Sequence, residues 1–295
     1  MHKPITKAVI PAAGFGTRFL PATKAQPKEM LPVVDKPTIQ YVVEEAAASG
    51  ITDILIIIGR GKQSIVDHFD RAFQLETELK EKDKLKQLEQ IQALTNLATI
   101  HYVRQNELKG LGDAVRYARM HTGNEPFVVL LGDTIIKGRV PATRQLIDAY
   151  NETQTAIIGV EEVPYDKVDR YGIVAIEHDA ADNRPVQMKD IVEKPSLNEA
   201  PSNLAVCGRY VFEPDIYEYI NRISTGKNNE IQLTDAIRLM LSDKPVNAIT
   251  VEGKRYDIGN KLDFLITTVE FAIDREDLGP EFRQYLRDMS LDDQP

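Results

Sequence analysis

The stretch AVIPAAGFGTRFLPATKAQPKEMLPV, Ala8 to Val33, carries a short apolar run into a glycine turn and then sets down Arg18, Lys24 and Lys28 in quick succession. Lys7–Pro11 reads as a buried strand. In open parallel sheets, ligands bind beyond the carboxyl ends of the strands, where this turn lies. Gly14 and Gly16 allow the backbone to pass close to a bulky anion and to offer it amide N–H groups. Arg18 supplies a planar fork for phosphate oxygens, and Lys28 a mobile point charge. Pro21, Pro27 and Pro32 stiffen the segment that carries these cations. The frame is not a Walker A loop. It is not G-x-G-x-x-G either, because Phe19 stands where the third glycine would be.

Composition sharpens this reading. The chain has 295 residues, a net charge of -9 and 42% hydrophobic residues, enough for one large α/β unit with a packed core. An acidic chain argues against non-specific nucleic-acid binding, and makes a local cationic loop more informative. Cys207 is the single cysteine, so neither an intramolecular disulfide nor a cysteine-based zinc site is expected. His2, His68, His101, His121 and His178 lack metal-site spacing and read as surface or second-layer residues. No apolar run is long enough to span a membrane and no signal-peptide pattern is seen, so a cytoplasmic location is expected.

Outward from the loop, strands and helices alternate. Strands are expected at Asp53–Ile58, Ile100–Arg104 and Phe127–Leu131, and helices at Pro37–Ser49, Ser64–Phe73 and from Gly110 to Met120. Leu75–Leu97 reads as a charged helical hairpin, solvated or used as a subunit contact. Further strands are expected at Ala156–Val160, Gly172–Ile176, Lys189–Glu193, Ala205–Phe212 and Ala248–Val251. Helices follow at Asp215–Ile223, at Leu233–Leu241 with Thr234 as N-cap, and at Asp263–Ile273. Tyr256–Gly259 reads as a turn, and the tail after Gly279 as frayed. The fold class is α/β: a Rossmann-like, mostly parallel mixed sheet flanked by helices. It forms one domain, with a nucleotide lobe over about residues 1–140, a sugar lobe over about 141–258 and a C-terminal helical segment over about 259–295.

Eight segments carry a resemblance. PAAGFGTRFLPATKAQPKEMLPVVDKP, RQNELKGLGDAV, VVLLGDTII, RYGIV, IVEKP, CGRYVF, NEIQLTDAI and YDIGNKLDF occur in order between about Lys7 and Ile273. Together they resemble the signature of the sugar-1-phosphate nucleotidyltransferases, in detail the bacterial branch that transfers uridylyl groups to glucose 1-phosphate. The resemblance implies the reaction UTP plus glucose 1-phosphate giving UDP-glucose plus pyrophosphate, with Mg²⁺ as cofactor and a homodimer or homotetramer as the assembly. A sugar-phosphate oxygen would attack the α-phosphorus in line. That nucleophile is already an anion, so catalysis becomes positioning plus charge neutralisation, without a general base or a covalent intermediate.

The implied roles fall on named residues. Arg18, Lys28 and Lys194 are the catalytic cations. Ala13, Gly14, Glu29, Gln105 and Gly110 hold the nucleotide, with the Gln105 amide matching the donor and acceptor of a uracil edge. Gly172, Glu193, Lys194 and Gly208 hold the sugar phosphate. Glu193 and Lys194 serve one site only if Pro195 ends their strand, since neighbours on a strand face opposite sides. Asp133, at the carboxyl end of an apolar strand, and Asp257 are the metal carboxylates; one or two suffice for Mg²⁺. Three departures from the family pattern stand out: Asp113 where histidine is common, Thr134 where a second aspartate is common, and a glycine-poor GKNNE loop at Gly226–Glu230. Two alternatives stay open: a same-fold enzyme using dTTP or another hexose 1-phosphate, and a nucleotide-sugar binding homologue without turnover.

Overall fold

The computed structural model describes residues 3–177, 184–226 and 229–289. His2, His178 and the middle of the Gly226–Glu230 loop lie outside the described residues. In the first half the strands are β1 (Lys7–Ala12), the small β2–β3 hairpin (Pro32–Val33 and Lys36–Pro37), β4 (Asp53–Ile58), β5 (Thr99–Arg104), β6 (Phe127–Leu130) and β7 (Thr134–Lys137). The second half adds β8 (Ala156–Glu162), β9 (Gly172–Ile176), β10 (Val186–Glu193), β11 (Leu204–Phe212), β12 (Val246–Thr250) and β13 (Lys254–Asp257).

The helices are α1 (Thr38–Ala48), α2 (Gln63–Phe69), α3 (Phe73–Glu81), α4 (Leu85–Thr95), α5 (Leu111–Arg116) and α6 (Arg119–Thr122). They continue with α7 (Ala142–Thr153), α8 (Ile216–Arg222), α9 (Leu233–Leu241), α10 (Lys261–Ile273) and α11 (Gly279–Asp288).

Nine strands form one sheet in the order β5-β4-β1-β6-β11-β8-β12-β10-β9. The first four are parallel. From β11 onward the sheet is mixed: β11 runs antiparallel to both β6 and β8, while β12 is parallel to β8. The parallel character expected from the sequence therefore belongs to the first half, where strand–helix crossovers repeat. The expected mixture comes from the second half, where hairpin-like returns replace them.

Side-chain alternation explains why both faces are covered. Val9, Leu55 and Ile57 enter one core with residues of α5, α8 and α9. Ala8, Ile10, Ile54, Ile56 and Ile58 enter the other, with residues of α1, α2 and α7. A strand buried on both faces reads as a continuous apolar run, as DILIII does.

Several expectations are corrected. Tyr256–Gly259 is not simply a turn: Tyr256 and Asp257 end β13, which pairs antiparallel with β7. The segment after Gly279 forms α11, with Pro280 in its first turn. Thr234 lies inside α9, whose N-cap is Gln232. The hairpin expected over Leu75–Leu97 is present as α3 and α4, with its turn near Asp83.

Candidate active site

The carboxyl ends of the four parallel strands deliver the first group of residues. β1 leads into Ala13 and Gly14, β5 into Gln105 and β6 into Asp133. Strand order reverses direction about β1, the kind of position where open α/β sheets form a crevice. A cleft of about 510 Å³ opens there, with Ala13, Gly14, Lys28, Glu29, Gln105, Gly110 and Asp133 among its walls. A second cavity of about 290 Å³ is lined by Arg18, Asp133, Gly172, Glu193, Lys194, Gly208, Thr234 and Asp257. The cavities share Leu111, Leu131, Asp133 and Glu230 as common wall. All of the sequence-nominated residues thus reach one continuous region, whereas Lys24 is exposed and lines neither cavity.

The glycine-opened loop is folded as three single 3-10 turns, Thr17–Phe19, Ala22–Lys24 and Lys28–Met30. The Thr23 hydroxyl donates to the Gly16 carbonyl at 2.7 Å and closes the first part of the loop. Arg18 donates to the Gly259 carbonyl at 3.4 Å, tying the loop to the residues just after Asp257. Lys28 reaches the other way and forms an ion pair with Asp133. Burial alone would lower the Lys28 ammonium, but Asp133, with Glu29 and Asp257 beyond it, holds it above its ordinary range. Burial likewise acts to raise the Asp133 carboxyl; Lys28 overrides this and keeps it below the ordinary range.

Asp257 behaves oppositely. It is paired in register with Thr134, next to Asp133, and the Ile258 amide donates to the Asp133 carbonyl at 3.0 Å. Burial raises the Asp257 carboxyl, and the Asp133 charge raises it further. Two carboxylates, one in the turn just before β7 and the other at the end of its partner β13, form an oxygen donor set suited to a hard divalent cation.

The end of the cleft around Gln105 and Gly110 is tightly specified. Gln105 is buried and donates from Nε2 to Asp113 Oδ2 at 2.7 Å, while Arg116 binds the other oxygen of Asp113. Gly110 adopts φ 99°, and a Cβ there would come 2.7 Å from the Ile231 carbonyl, so a side chain is excluded on both counts. Glu29 is also buried and pairs with buried Lys62 at 2.7 Å. Burial pushes the Glu29 carboxyl up, against the opposing pull of Lys62 and Lys28.

In the second cavity the strand-end question is resolved by backbone. β10 ends at Glu193, and Lys194 takes a left-handed φ of 46° just before Pro195. That turn lets both side chains line one cavity, and costs about 1 kcal/mol or more for a non-glycine residue. Lys194 Nζ lies 3.0 Å from Glu193 Oε1, and the Thr234 hydroxyl donates to Glu193 Oε2 at 2.7 Å. Thr234 therefore orients a carboxylate instead of capping its helix. Gly208 sits in the irregular stretch of β11, at φ 76°, with Leu131 packed where a side chain would project.

Sequence reasoning missed Lys62, Tyr171, Thr234 and Arg255 as parts of this region. Arg255 pairs with Glu161 and stacks over the Tyr171 ring at 4.2 Å, and the Tyr171 hydroxyl donates to Asp257 Oδ2 at 3.4 Å. The usable signal for Arg255 was strand alternation, which puts it on the same face as Asp257. Lys62 and Thr234 carried no local signal.

The site belongs to a class that is now explicit. The nucleotidyl transferase family profile matches residues 7–272, and the chain belongs to that family. Its relatives narrow the class. The chain is 54% identical over 276 residues, 94% of each chain, to the UTP--glucose-1-phosphate uridylyltransferase of Bacillus subtilis (strain 168). It is 52% identical to the protein of the same name from Staphylococcus haemolyticus (strain JCSC1435), over 98% of this chain and all of that one. Among solved structures, a UTP-bound UGPase from Acinetobacter baumannii matches with a TM-score of 0.90 and 40% identity, covering 97% of this chain and 100% of the other. A UDP-glucose pyrophosphorylase complexed with UDP-glucose matches with a TM-score of 0.84 and 41% identity, covering 92% and 100%.

Proposed function

We propose that this chain transfers a uridylyl group from UTP to α-D-glucose 1-phosphate, releasing UDP-glucose and pyrophosphate. The observation that carries the reading is Asp133 on the common wall of the two cavities, with Lys28 bound to it and Asp257 beside it. The names and bound molecules of the relatives support this choice of substrates.

The larger cleft takes the nucleotide. Gln105 and the backbone at Gly110 face the base, Ala13 and Gly14 line the ribose and phosphate path, and Glu29 anchors that wall through Lys62. The second cavity takes the sugar phosphate: Glu193, oriented by Thr234, accepts from sugar hydroxyls, Gly172 and Gly208 allow close approach, and Lys194 meets the phosphate. Arg18 and Lys28 bracket the junction. A glucose 1-phosphate oxygen forms the new bond to the α-phosphorus as the bond to the β-phosphate oxygen breaks in line, and pyrophosphate carries off the electron pair. No proton moves in that step, so Arg18, Lys28 and Lys194 serve by holding polyanions together and spreading charge.

Asp133 and Asp257 are the residues that would hold a divalent cation, and Mg²⁺ is the choice their all-oxygen set favours. Once bound, it offsets the charge of the phosphates and of Asp257. The organisation proposed with this assignment is a nucleotide lobe over about residues 1–140, a sugar lobe over about 141–258 and a helical segment from about 259, with Arg18, Asp133 and Glu230 reaching across. We also propose a homodimer or homotetramer. Exposed Leu262, Leu265 and Ile266 give α10 an apolar face suited to such a contact. Among the described residues no helix is long and apolar enough to cross a membrane.

The test is pyrophosphate release with glucose 1-phosphate and UTP, dTTP, CTP, ATP or GTP, with and without Mg²⁺. Fast Mg²⁺-dependent release with UTP is expected. Release only with dTTP, or UDP-glucose binding with no release, would replace this reading by one of its alternatives. Asp133→Asn should remove most of the metal-dependent rate, and full activity of that variant at saturating Mg²⁺ would contradict the assignment.

A further inference from the structure

Far from the cleft, at the amino end of the parallel strands, three potential metal ligands converge. Asp53 is the first residue of β4, His101 lies on β5 and His121 on α6. β4–β5 register pairs Asp53 with Thr99, so His101, two residues on, shares the sheet face of Asp53, and α6 lies over that face. Sequence spacing could not reveal this set, because each ligand comes from a different element.

We propose that Asp53, His101 and His121 form a binding site for a borderline-soft divalent transition metal, best matched by Zn²⁺. Their ligand atoms lie within 4.8 Å of one another. Asp53 Oδ1 is 2.9 Å from His121 Nε2 and 3.6 Å from His101 Nε2. Those separations bracket the ~3.3 Å edge of a tetrahedron with Zn–ligand bonds of about 2.0–2.1 Å. Asp53 Oδ1 and His121 Nε2 are buried atoms that approach closely without an aligned hydrogen bond, and with its proton on Nδ1 the His121 ring offers the Nε2 lone pair to an ion. His101 is half exposed, which gives an ion an entry path and leaves a fourth position to solvent.

The neighbouring charges tolerate a cation. Lys7, in register with Asp53, pairs with Glu125 at 2.9 Å, a carboxylate it shares with Lys3 at 3.1 Å, so that Lys3 and Lys7 balance Glu125 and Asp53; Lys7 also donates to the His121 carbonyl at 3.0 Å, which fixes α6 over the strand edge. Two imidazoles with one carboxylate select Zn²⁺, Co²⁺ or Ni²⁺ over Mg²⁺, which prefers oxygen. This ion would clamp α6 to β4 and β5. It is separate from the oxygen-ligand site at Asp133 and Asp257, at the other end of the strands.

The test uses the full chain in saturating Mg²⁺, titrated with Zn²⁺ against a chromophoric chelator and with Co²⁺ for visible d–d bands. The wild type should bind one equivalent at this site with tetrahedral-type Co²⁺ bands, and its thermal midpoint should rise with Zn²⁺. His101→Ala should weaken Zn²⁺ binding at least about tenfold, since losing a ligand costs no less than losing an outer partner of one. His101→Ala plus His121→Ala should abolish the bands. Equal Zn²⁺ affinity and stoichiometry in wild type and variants would overturn the proposal, as would no Zn²⁺ binding by the wild type. Because the His101 side chain is half exposed, its single variant remains decisive if the double variant fails to fold; its pyrophosphate release without Zn²⁺ should match the wild type.

Discussion

Gln105 shows how one hydrogen bond can set the meaning of a side chain. A glutamine amide is ambiguous, since rotation by half a turn exchanges its donor and acceptor. Asp113 removes the ambiguity: its carboxylate only accepts, so Nε2 must face it and Oε1 must face away. With the base placed as proposed, Oε1 would accept from uracil N3–H and the second Nε2 hydrogen would meet O4. Cytosine presents the reverse pattern and would need the flipped amide. Asp113, read in the sequence as a departure from the family's histidine, is thus the orienting group. Asp113→Asn, which accepts either amide orientation, should lower the UTP-over-CTP ratio of kcat/KM about tenfold, or ~1.4 kcal/mol. An unchanged ratio would show that Gln105 is fixed by something else.

The paired carboxylates give a second prediction at this scale. Asp133 has a lowered carboxyl and Lys28 a raised ammonium, so the stability of their ion pair is fully present between their ordinary values of 3.8 and 10.5. It is lost as pH falls below that window through the Asp133 value, or rises above it through the Lys28 value. Asp257 is raised instead, so it takes up a proton at higher pH than an ordinary aspartate. Protons and Mg²⁺ should compete there: the acid limb of the rate profile should move to lower pH as Mg²⁺ increases. In Asp257→Asn that movement should vanish, and its persistence would place the competition elsewhere.

At the scale of elements, what was legible depended on how much of each signal was local. DILIII and FVVL announce buried strands by composition alone, and the glycine-opened loop by its residues. α7 was not read, although ATRQLIDAYNET sets Ala142, Leu146, Ile147 and Tyr150 at helical spacing, because the polar and small residues between them mask that stripe. β7 and β13 are four residues each and exist because they pair with one another, a long-range fact. The loop-to-helix tie of Glu29 to Lys62 is equally non-local, joining the turn at Lys28–Met30 to the start of α2. Both side chains are buried, so Lys62→Met leaves an unpaired buried carboxylate and should destabilise the fold by about 3–5 kcal/mol at neutral pH. Glu29→Gln with Lys62→Met should recover most of that loss in a denaturant titration; equal losses in the single and double variants would mean that packing, not charge, holds the loop.

For the whole molecule, the sheet's change of character is what makes a two-substrate site. Parallel β5, β4, β1 and β6 collect loops at one edge around the larger cleft, and antiparallel β11 begins the half that carries Gly172, Glu193 and Lys194. Asp133 leaves β6 at that seam, so the place where the topology changes is also where the two cavities share a wall. The same architecture leaves α10 and α11 outside the sheet, α10 resting on β13 and β2 and α11 on α10, with Leu262, Leu265 and Ile266 exposed. A chain of net charge -9 would repel its copies unless an apolar contact of this kind offset the repulsion. Light scattering on the wild type should therefore give a dimer or tetramer, with Leu265→Glu shifting it toward monomer. Since α10 follows Asp257 through Asn260, whose side chain caps the helix, and Arg18 holds the Gly259 carbonyl, dissociation should also raise the KM for glucose 1-phosphate. A monomeric variant with unchanged KM would separate assembly from the sugar-side cavity, and an unchanged mass in Leu265→Glu would move the contact to the α3–α4 hairpin, where Phe73 and Leu85 are exposed.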